Sequence, residues 1–444
     1  MGMIINTNLS ALNTWNQLNR NTSSMNSALE KLSSGYKINS SSDDAAGLAI
    51  SKKMVNQING LDQANENSQN ASSMVQTADG ALEETNSILE RMRELAVQSA
   101  SDTNTDSDRS NIQDEVDALT SEINNIANTT EFNTKKLLNG NLSAAVTTAT
   151  KNVLSNSSVV TASGNVTAGT TTLGSLTDTA KNSLGIDTGD TITINYMKDG
   201  AYRTATITVA AGTTTLSSLT AASTYDKTGA ATGDTIANDF TFSVDANTGT
   251  IKVTAATTGA ANAIYGLNIT VNDVTSTTDS NGDTTTTTTE NTAATDALSS
   301  FNQTVAAKDT SVDGTATILI GANTGQDLKI NIGNMDATSL GVQNIQVDTQ
   351  EAANTAIKTI DTAVSTVTAE RAKLGAIVNR LSSTSDNLST SSENLSAANS
   401  LIRDTDMASE MANYTKLSTL TQAATAMLAK ANSQPQMVLQ LLQS

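Results

Sequence analysis

Six oxygen-bearing residues stand at the spacing of a cation loop. Asp279, Asn281, Asp283, Thr285, Thr287 and Glu290 occupy places 1, 3, 5, 7, 9 and 12 of a twelve-residue run, the pattern that wraps oxygens around calcium. The sixth place needs glycine for a sharp turn and holds Thr284, and no helical periodicity flanks the run. An Asn-Gly turn in a polar loop accounts for the same residues, so no metal site is assigned. Cys and His are both absent, which removes His/Cys zinc centres, a Ser-His-Asp triad and thiolate chemistry. Carboxylates are plentiful, yet no pair is grouped with an aromatic platform as glycoside hydrolysis requires. The sequence therefore predicts no catalytic residue, no cofactor and no enzyme. The Ser/Thr-rich surface fits O-linked sugars or a plain solvated β surface, and both readings stand at this stage.

With site chemistry thin, the weight falls on the elements. The chain has 444 residues, 2% of them aromatic, so a thin aliphatic core of long helices and small β lobes is expected rather than one large globule. Net charge is −19, the wrong sign for a nucleic-acid partner. No run approaches 18 apolar residues, and membrane insertion is not expected. The first residues, "MGMIINTNLSALNTW", lack the basic and apolar regions of a secretory signal. Without disulfides, a secreted chain would draw stability from other sources such as oligomerisation.

Glycine divides the chain. Of 25 glycines, 18 fall between residues 141 and 341, leaving two Gly-poor wings around a Gly- and Thr-rich middle. The wings are helical by period. Ala11, Trp15, Leu18, Thr22, Met25, Leu29 and Leu32 step alternately by four and three, a coiled-coil seam, and Gly35 is expected to stop that helix. Ser42 or Asp43 can cap the next one, with Asp43 and Asp44 near its positive end. Ala71, Met74, Ala78, Ala81, Thr85, Ile88, Met92 and Leu95 form one stripe, and Val75, Leu82, Leu89 and Ala96 a neighbouring one. Two stripes make a face wide enough for two partner helices. A helix over Asp44–Ser99 would be about 84 Å long. "SDTNTDSD" breaks it, and Ile112, Val116, Leu119, Ile123 and Ile126 mark a third helix. In the other wing, Leu374, Ile377, Leu381, Thr384, Leu388, Ser391, Leu395, Ala398 and Ile402 keep the same step. A last segment runs through Met407, Met411, Tyr414, Leu417, Leu420, Ala424, Met427 and Ala431, with Pro435 expected to interrupt it. Neither wing can bury its own seam, so the wings pair with each other or with other chains.

The middle reads as β. Ile192, Ile194 and Tyr196 alternate, "KDGA" turns, and Tyr202 to Val209 return; Phe240, Phe242 and Val244 alternate, "DANTG" turns, and Ile251 and Val253 return. "AGTTTLGSLT" (168–177) matches "AGTTTLSSLT" (211–220), each followed later by "GDTI", a duplication or a coincidence of Thr-rich sequence. "TSTTDSNGDTTTTTTENT" (275–292) is of low complexity and is expected to be an exposed loop.

Four stretches carry a resemblance. "LSSGYKINSSSDDAAGLAISKKM", "SEINNIANTTEFNTKKLLNG" (121–140), "ILIGANTGQDLKINIGNMDATSLGV" (318–342) and the C-terminal "QPQMVLQLLQS" together resemble bacterial flagellins over roughly 1–142 and 310–444. Thr134 departs from the family, which often has Gly there, and so does Glu90, where Gln is frequent. The resemblance implies a mainly α fold with a β insert: a long antiparallel helical coiled coil or bundle from the two wings, a small β-hairpin and a central variable β-rich domain. It implies that 1–42 and 404–444 form an inner helical domain, that 43–142 and 310–403 form a helical core domain, and that 143–309 is outer and variable. The helix opened by Asp43-Asp44 should pack on the Leu374–Ile402 helix, with Val116–Ile126 as third member.

As to function, the resemblance implies an extracellular structural subunit of the flagellar filament, polymerising head to tail and exported unfolded through the flagellar channel. The seam residues it assigns to assembly are Leu18, Met25, Leu29, Leu32, Leu417, Leu420, Met427, Val438, Leu439, Leu441 and Leu442. Implied partners are further copies of the chain, flagellar cap and hook-junction proteins, an export chaperone at the C-terminal helices, and the host flagellin-sensing Toll-like receptor. For the receptor the matching residues are Arg91, Leu95 and Glu115, with Leu95 expected as an apolar plug. A hook–filament junction protein and a filament-displayed adhesin are the competing readings.

Overall fold

A computed structural model describes residues 8–161, 172–212, 214–226, 229–244, 250–278 and 284–443, the last nine by backbone alone. Its helices are α1 (Leu9–Ser34), α2 (Ala45–Ser99), α3 (Asp106–Thr129), the short α4 (Ile236–Asp239), α5 (Thr292–Ser299), the short α6 (Ala337–Leu340), α7 (Gln350–Arg403) and α8 (Met407–Gln443). The strands are β1 (Glu131–Phe132), β2 (Lys135–Lys136), β3 (Val153–Asn156), β4 (Val159–Thr161), β5 (Leu176–Asp178), β6 (Thr191–Lys198), β7 (Ala201–Thr208), β8 (Ser223–Tyr225) and β9 (Ala231–Thr235). They continue with β10 (Phe240–Val244), β11 (Ile251–Ala255), β12 (Ile264–Thr278), β13 (Thr284–Glu290), β14 (Asn302–Val305), β15 (Ala316–Leu319) and β16 (Asp327–Ile330). Long terminal helices around a central β-rich region are the class the sequence predicts. Among the described residues, no helix is long and apolar enough to cross a membrane.

The chain forms two compact units, one of residues 1–69, 319–327 and 383–444, the other of 70–318 and 328–382. The boundary runs through α2 and α7.

In the first unit α1 lies antiparallel to α8. Asn8 accepts from the Ala11 amide as the N-cap of α1 and donates to the Ala431 carbonyl at 2.8 Å. At the other end Gly35, in the left-handed region at φ 76°, closes α1, and its carbonyl accepts from the Thr405 amide at 3.0 Å. Arg403 stacks its guanidinium 4.0 Å above the Tyr36 ring. Asp44, rather than Ser42 or Asp43, caps α2, accepting from the amides of Ala46 and Gly47 at 3.0 and 2.9 Å. Asp43 instead staples the preceding turn through the amides of Asn39 and Ser40 at 3.1 and 2.9 Å, and these bonds hold its carboxyl below the usual range. Asp62 and Asn65 of α2 accept from Ser392 and Ser385 of α7. α8 continues through Pro435. The expected interruption fails because proline's fixed φ is itself helical; it removes one hydrogen bond without forcing the chain out of the helix.

In the second unit the rest of α2 packs with α3 and α7. Both predicted α2 stripes are inside: Val75, Leu82, Leu89 and Ala96 are buried, as are Ala71, Met74, Ala78 and Met92. They meet Ile112, Val116 and Ile123 of α3 and Ala356, Ile360, Val367 and Leu374 of α7, all buried. Burial of each such side chain stabilises by about 1.5–3 kcal/mol. Thr105 and Asp108 form a capping box on α3, whose hydrogen bonds keep the Asp108 carboxyl low. Buried Arg109 donates to the carbonyls of Ser99 and Ser101 at 2.9 and 3.0 Å, fixing the turn from α2.

The β lobe of this unit has a sheet in the order β10-β11-β3-β14 and another in the order β13-β12-β6-β7-β8-β9. Tyr196, Phe240 and Phe242 stack edge-on in the core between them. Asp239, fully buried, accepts from Lys198 at 2.6 Å and Arg203 at 2.9 Å. The β6–β7 turn carries Asp199 and Gly200 at positive φ, the geometry of a two-residue hairpin. Two close approaches join the lobe to the helical part. A Cβ on Gly200 would stand 1.9 Å from the Gln343 carbonyl oxygen, and one on Gly266 2.4 Å from that of Thr355 in α7. Gln346 accepts from the Tyr202 amide at 2.9 Å.

The two Thr-Leu repeats adopt one local form. Leu173–Ser175 and Leu216–Ala221 are both 3₁₀ turns, with Leu173 and Leu216 buried and a bridge from Thr172 to Thr215. The remainder of the repeats, 168–171 and 213, lies outside the described residues, as does the "DANTG" turn. The stretch 275–292 is not a loop: Thr284–Glu290 forms β13, paired in register with β12. β-branched threonines fit a pleated ribbon better than an irregular connection.

Candidate assembly and docking surfaces

The α1–α8 seam is displaced by one residue from the sequence expectation. Half-buried or buried on α1 are Ala11, Thr14, Leu18, Asn21, Met25, Ala28 and Leu32; on α8 they are Glu410, Tyr414, Leu417, Thr421, Ala424, Leu428 and Ala431. Leu18, Met25, Leu32 and Leu417 thus face the partner helix. Small residues at Ala28 and Ala424 let the two backbones approach. Leu29, Leu420 and Met427 do not line this seam; they are 52%, 42% and 62% exposed. With Leu9, Leu12, Trp15, Met407 and Met411 they leave large apolar side chains uncovered beside the seam. Val438, Leu439, Leu441 and Leu442 lie on α8, and their side chains fall outside the described residues. Polar Asn21 in the seam escapes hydrophobic periodicity, because Gln17 donates to it at 3.1 Å along the helix. The only signal for the uncovered set is the excess of apolar residues at places outside a single stripe, such as Leu12.

The three receptor-pattern residues do not form one exposed patch. Arg91 on α2 donates through Nε and Nη2 to Glu115 Oε1 on α3 at 3.0 and 2.9 Å, and through Nη1 to Glu94 at 3.2 Å. Both members are about half exposed. The Glu115 and Glu94 carboxylates hold the guanidinium above its ordinary value. Leu95 is 2% exposed and belongs to the bundle core. The plug role is corrected on that ground: four places after Arg91 the helix has turned the side chain inward toward α3 and α7. Arg93 pairs with Asp361, and Arg371 with Asp79, tying α2 to α7.

Of the cation-loop residues, Asp279, Asn281 and Asp283 lie outside the described residues, while Thr285, Thr287 and Glu290 sit on β13, opposite Thr277, Thr275 and Asn272 of β12. A strand spaces alternate side chains along a ribbon rather than closing them around an ion.

A paired set of terminal helices with uncovered apolar flanks, carrying a β lobe, defines a self-assembling structural protein. Its first 139 matched residues, 5–143, fit the bacterial flagellin N-terminal helical region, and 357–442 fit the bacterial flagellin C-terminal helical region. A flagellin of Clostridium tyrobutyricum is 40% identical over 98% of this chain and 100% of that one. A Bacillus subtilis flagellin is 56% identical over 31% of this chain and 46% of its own length. The chain belongs to the bacterial flagellin family, structural proteins of the flagellar filament.

Proposed function

We propose that the chain polymerises head to tail, each copy covering the apolar flanks of the next. The observation that carries this is the exposure of Leu9, Leu12, Trp15, Leu29, Met407, Met411, Leu420 and Met427 beside a seam that is itself closed. At about 25 cal/mol per Å², covering these side chains outweighs what the thin α1–α8 pair gains alone. Different surfaces meet at such a contact, so growth does not close and yields a helical filament. On this reading 1–42 and 404–444 act as the inner domain, 43–142 and 310–403 as the surrounding layer and 143–309 as the outer domain. Val438, Leu439, Leu441 and Leu442 extend the inner contact.

The same reading has the chain exported unfolded through the flagellar channel, with a chaperone shielding the C-terminal helices and cap and hook-junction proteins at the filament ends. Absence of Cys suits that passage. The exposed Arg91–Glu115 pair is the part of the receptor pattern a host Toll-like receptor could reach. Negative-stain imaging after salt-induced polymerisation tests the assembly: long filaments from the native chain and none from Trp15→Asp with Met427→Asp are expected. Normal filaments from that variant would overturn the reading.

A further inference from the structure

β13 is an edge strand without the devices that keep edges apart. The opposite edge of its sheet, β9, has five residues, carries Asp234 and meets β8 through a register shift. In the other sheet β14 has four residues and is bulged against β3. β13 has seven residues in unbroken register with β12, from Asn272↔Glu290 to Thr278↔Thr284. Its one strand neighbour in the sheet is β12. Thr285 to Glu290 are exposed at every place, on both faces of the ribbon. Its sequence, TTTTTTE, holds no Lys, no Pro and one charge at its end. Natural edges are usually guarded by just those features, and an unguarded one is a template for another strand.

We propose that β13 pairs antiparallel with β13 of a second copy of this chain, about a two-fold axis at Thr287. The strand is its own complement. The two-fold sets Thr285 against Thr289, Thr286 against Thr288 and Thr287 against its equivalent, and Thr–Thr cross-strand pairs are favourable. Each Glu290 then faces a Thr284, whereas parallel in-register pairing would set the two Glu290 carboxylates side by side. The chain as a whole carries −19 and repels copies of itself over most of its surface; Thr284–Thr289 is a neutral strip on which two copies can meet. A head-to-tail polymer has no two-fold relating successive subunits. The contact therefore joins subunits of different filaments, a lateral link that rests on the polymer reading above.

Because the chain contains no Cys, single cysteines report the register. In the full chain, Thr287→Cys should oxidise to a disulfide dimer roughly tenfold faster than Thr208→Cys, an exposed place on the interior strand β7. Thr285→Cys should crosslink to Thr289→Cys in a mixture more readily than either to itself, since only opposed residues reach disulfide distance. Thr286→Lys with Thr288→Lys should abolish the Thr287→Cys dimer. Equal rates at 287 and 208, or persistence in the Lys variant, would overturn the pairing. With polymerised samples, native filaments should appear side by side in electron micrographs and the Lys variant as single filaments; single native filaments would overturn the lateral link. Dimers from monomeric chain without any filaments would leave the pairing standing and remove only the polymer reading.

Discussion

The Arg91 guanidinium and the Glu115 carboxylate meet across the α2–α3 contact, two nitrogens on one oxygen at 2.9 and 3.0 Å. The pair is half exposed, so solvent screens it, and exposed pairs contribute about 0–1 kcal/mol. Glu115→Ala is expected to leave the melting temperature within about 4 °C of native. Arg91→Ala should weaken binding of purified receptor ectodomain while circular dichroism stays native. Unchanged affinity would restrict this pair to a structural role.

Leu95→Ala should behave differently. The side chain is buried, and truncation leaves a cavity costing about 2–5 kcal/mol. Thermal unfolding of the full chain should fall markedly, and any loss of receptor binding should track the loss of fold. A native melting curve would contradict its place in the core.

Asn133 and Thr134 turn the β1–β2 hairpin at φ 49° and 65°. A β-branched residue is costly there, by about 1–3 kcal/mol, and Thr134 stands where the family often has Gly. Thr134→Gly is expected to raise the melting temperature, less the entropy that glycine adds to the unfolded chain. A drop on scanning calorimetry would mean that the hydroxyl contributes more than the backbone loses.

Acid should loosen the starts of α2 and α3. Asp43 and Asp108 have carboxyls held below their ordinary value by hydrogen bonds from the turn and the cap. A lowered folded value means a contribution complete above the unfolded pKa of about 3.9 and lost as pH falls through the folded one. Asp43→Asn with Asp108→Asn should therefore be less stable than native at neutral pH and converge with it below about pH 3, read as helicity against pH. Parallel acid limbs would rule out these carboxylates.

Removing Pro435–Ser444 deletes four apolar side chains from the far end of α8. Filaments should be lost while the β lobe stays folded, as judged by tyrosine absorbance on unfolding. Filaments of normal length would place the essential contacts elsewhere.

Much of this fold is legible in the sequence because helix periods and glycine density are strong signals. The paired stripes of α2 predict two partners, and α3 and α7 supply them. The seam of α1 is off by one because hydrophobicity alone favours Trp15 and Leu29, whereas close helix contact selects Ala28 and Asn21. Pattern analysis finds what is apolar; it does not separate residues covered within the chain from residues left for a neighbour. Leu95 shows the converse. A family motif marks a stretch of helix, but only the turn of that helix decides which of its members solvent can reach. β13 was hidden by low complexity, since uniform threonine shows no alternation to read.

The seats of Gly200 under the Gln343 carbonyl and of Gly266 against Thr355 leave no room for a swivel between the β lobe and α7. In a viscous medium the lobe bears the drag. A hinged appendage would trail and dissipate that load in its linker. Here the load passes as torque through backbone-to-backbone contact into α7 itself, which makes bulky residues at these two glycines a mechanical fault before they are a thermodynamic one.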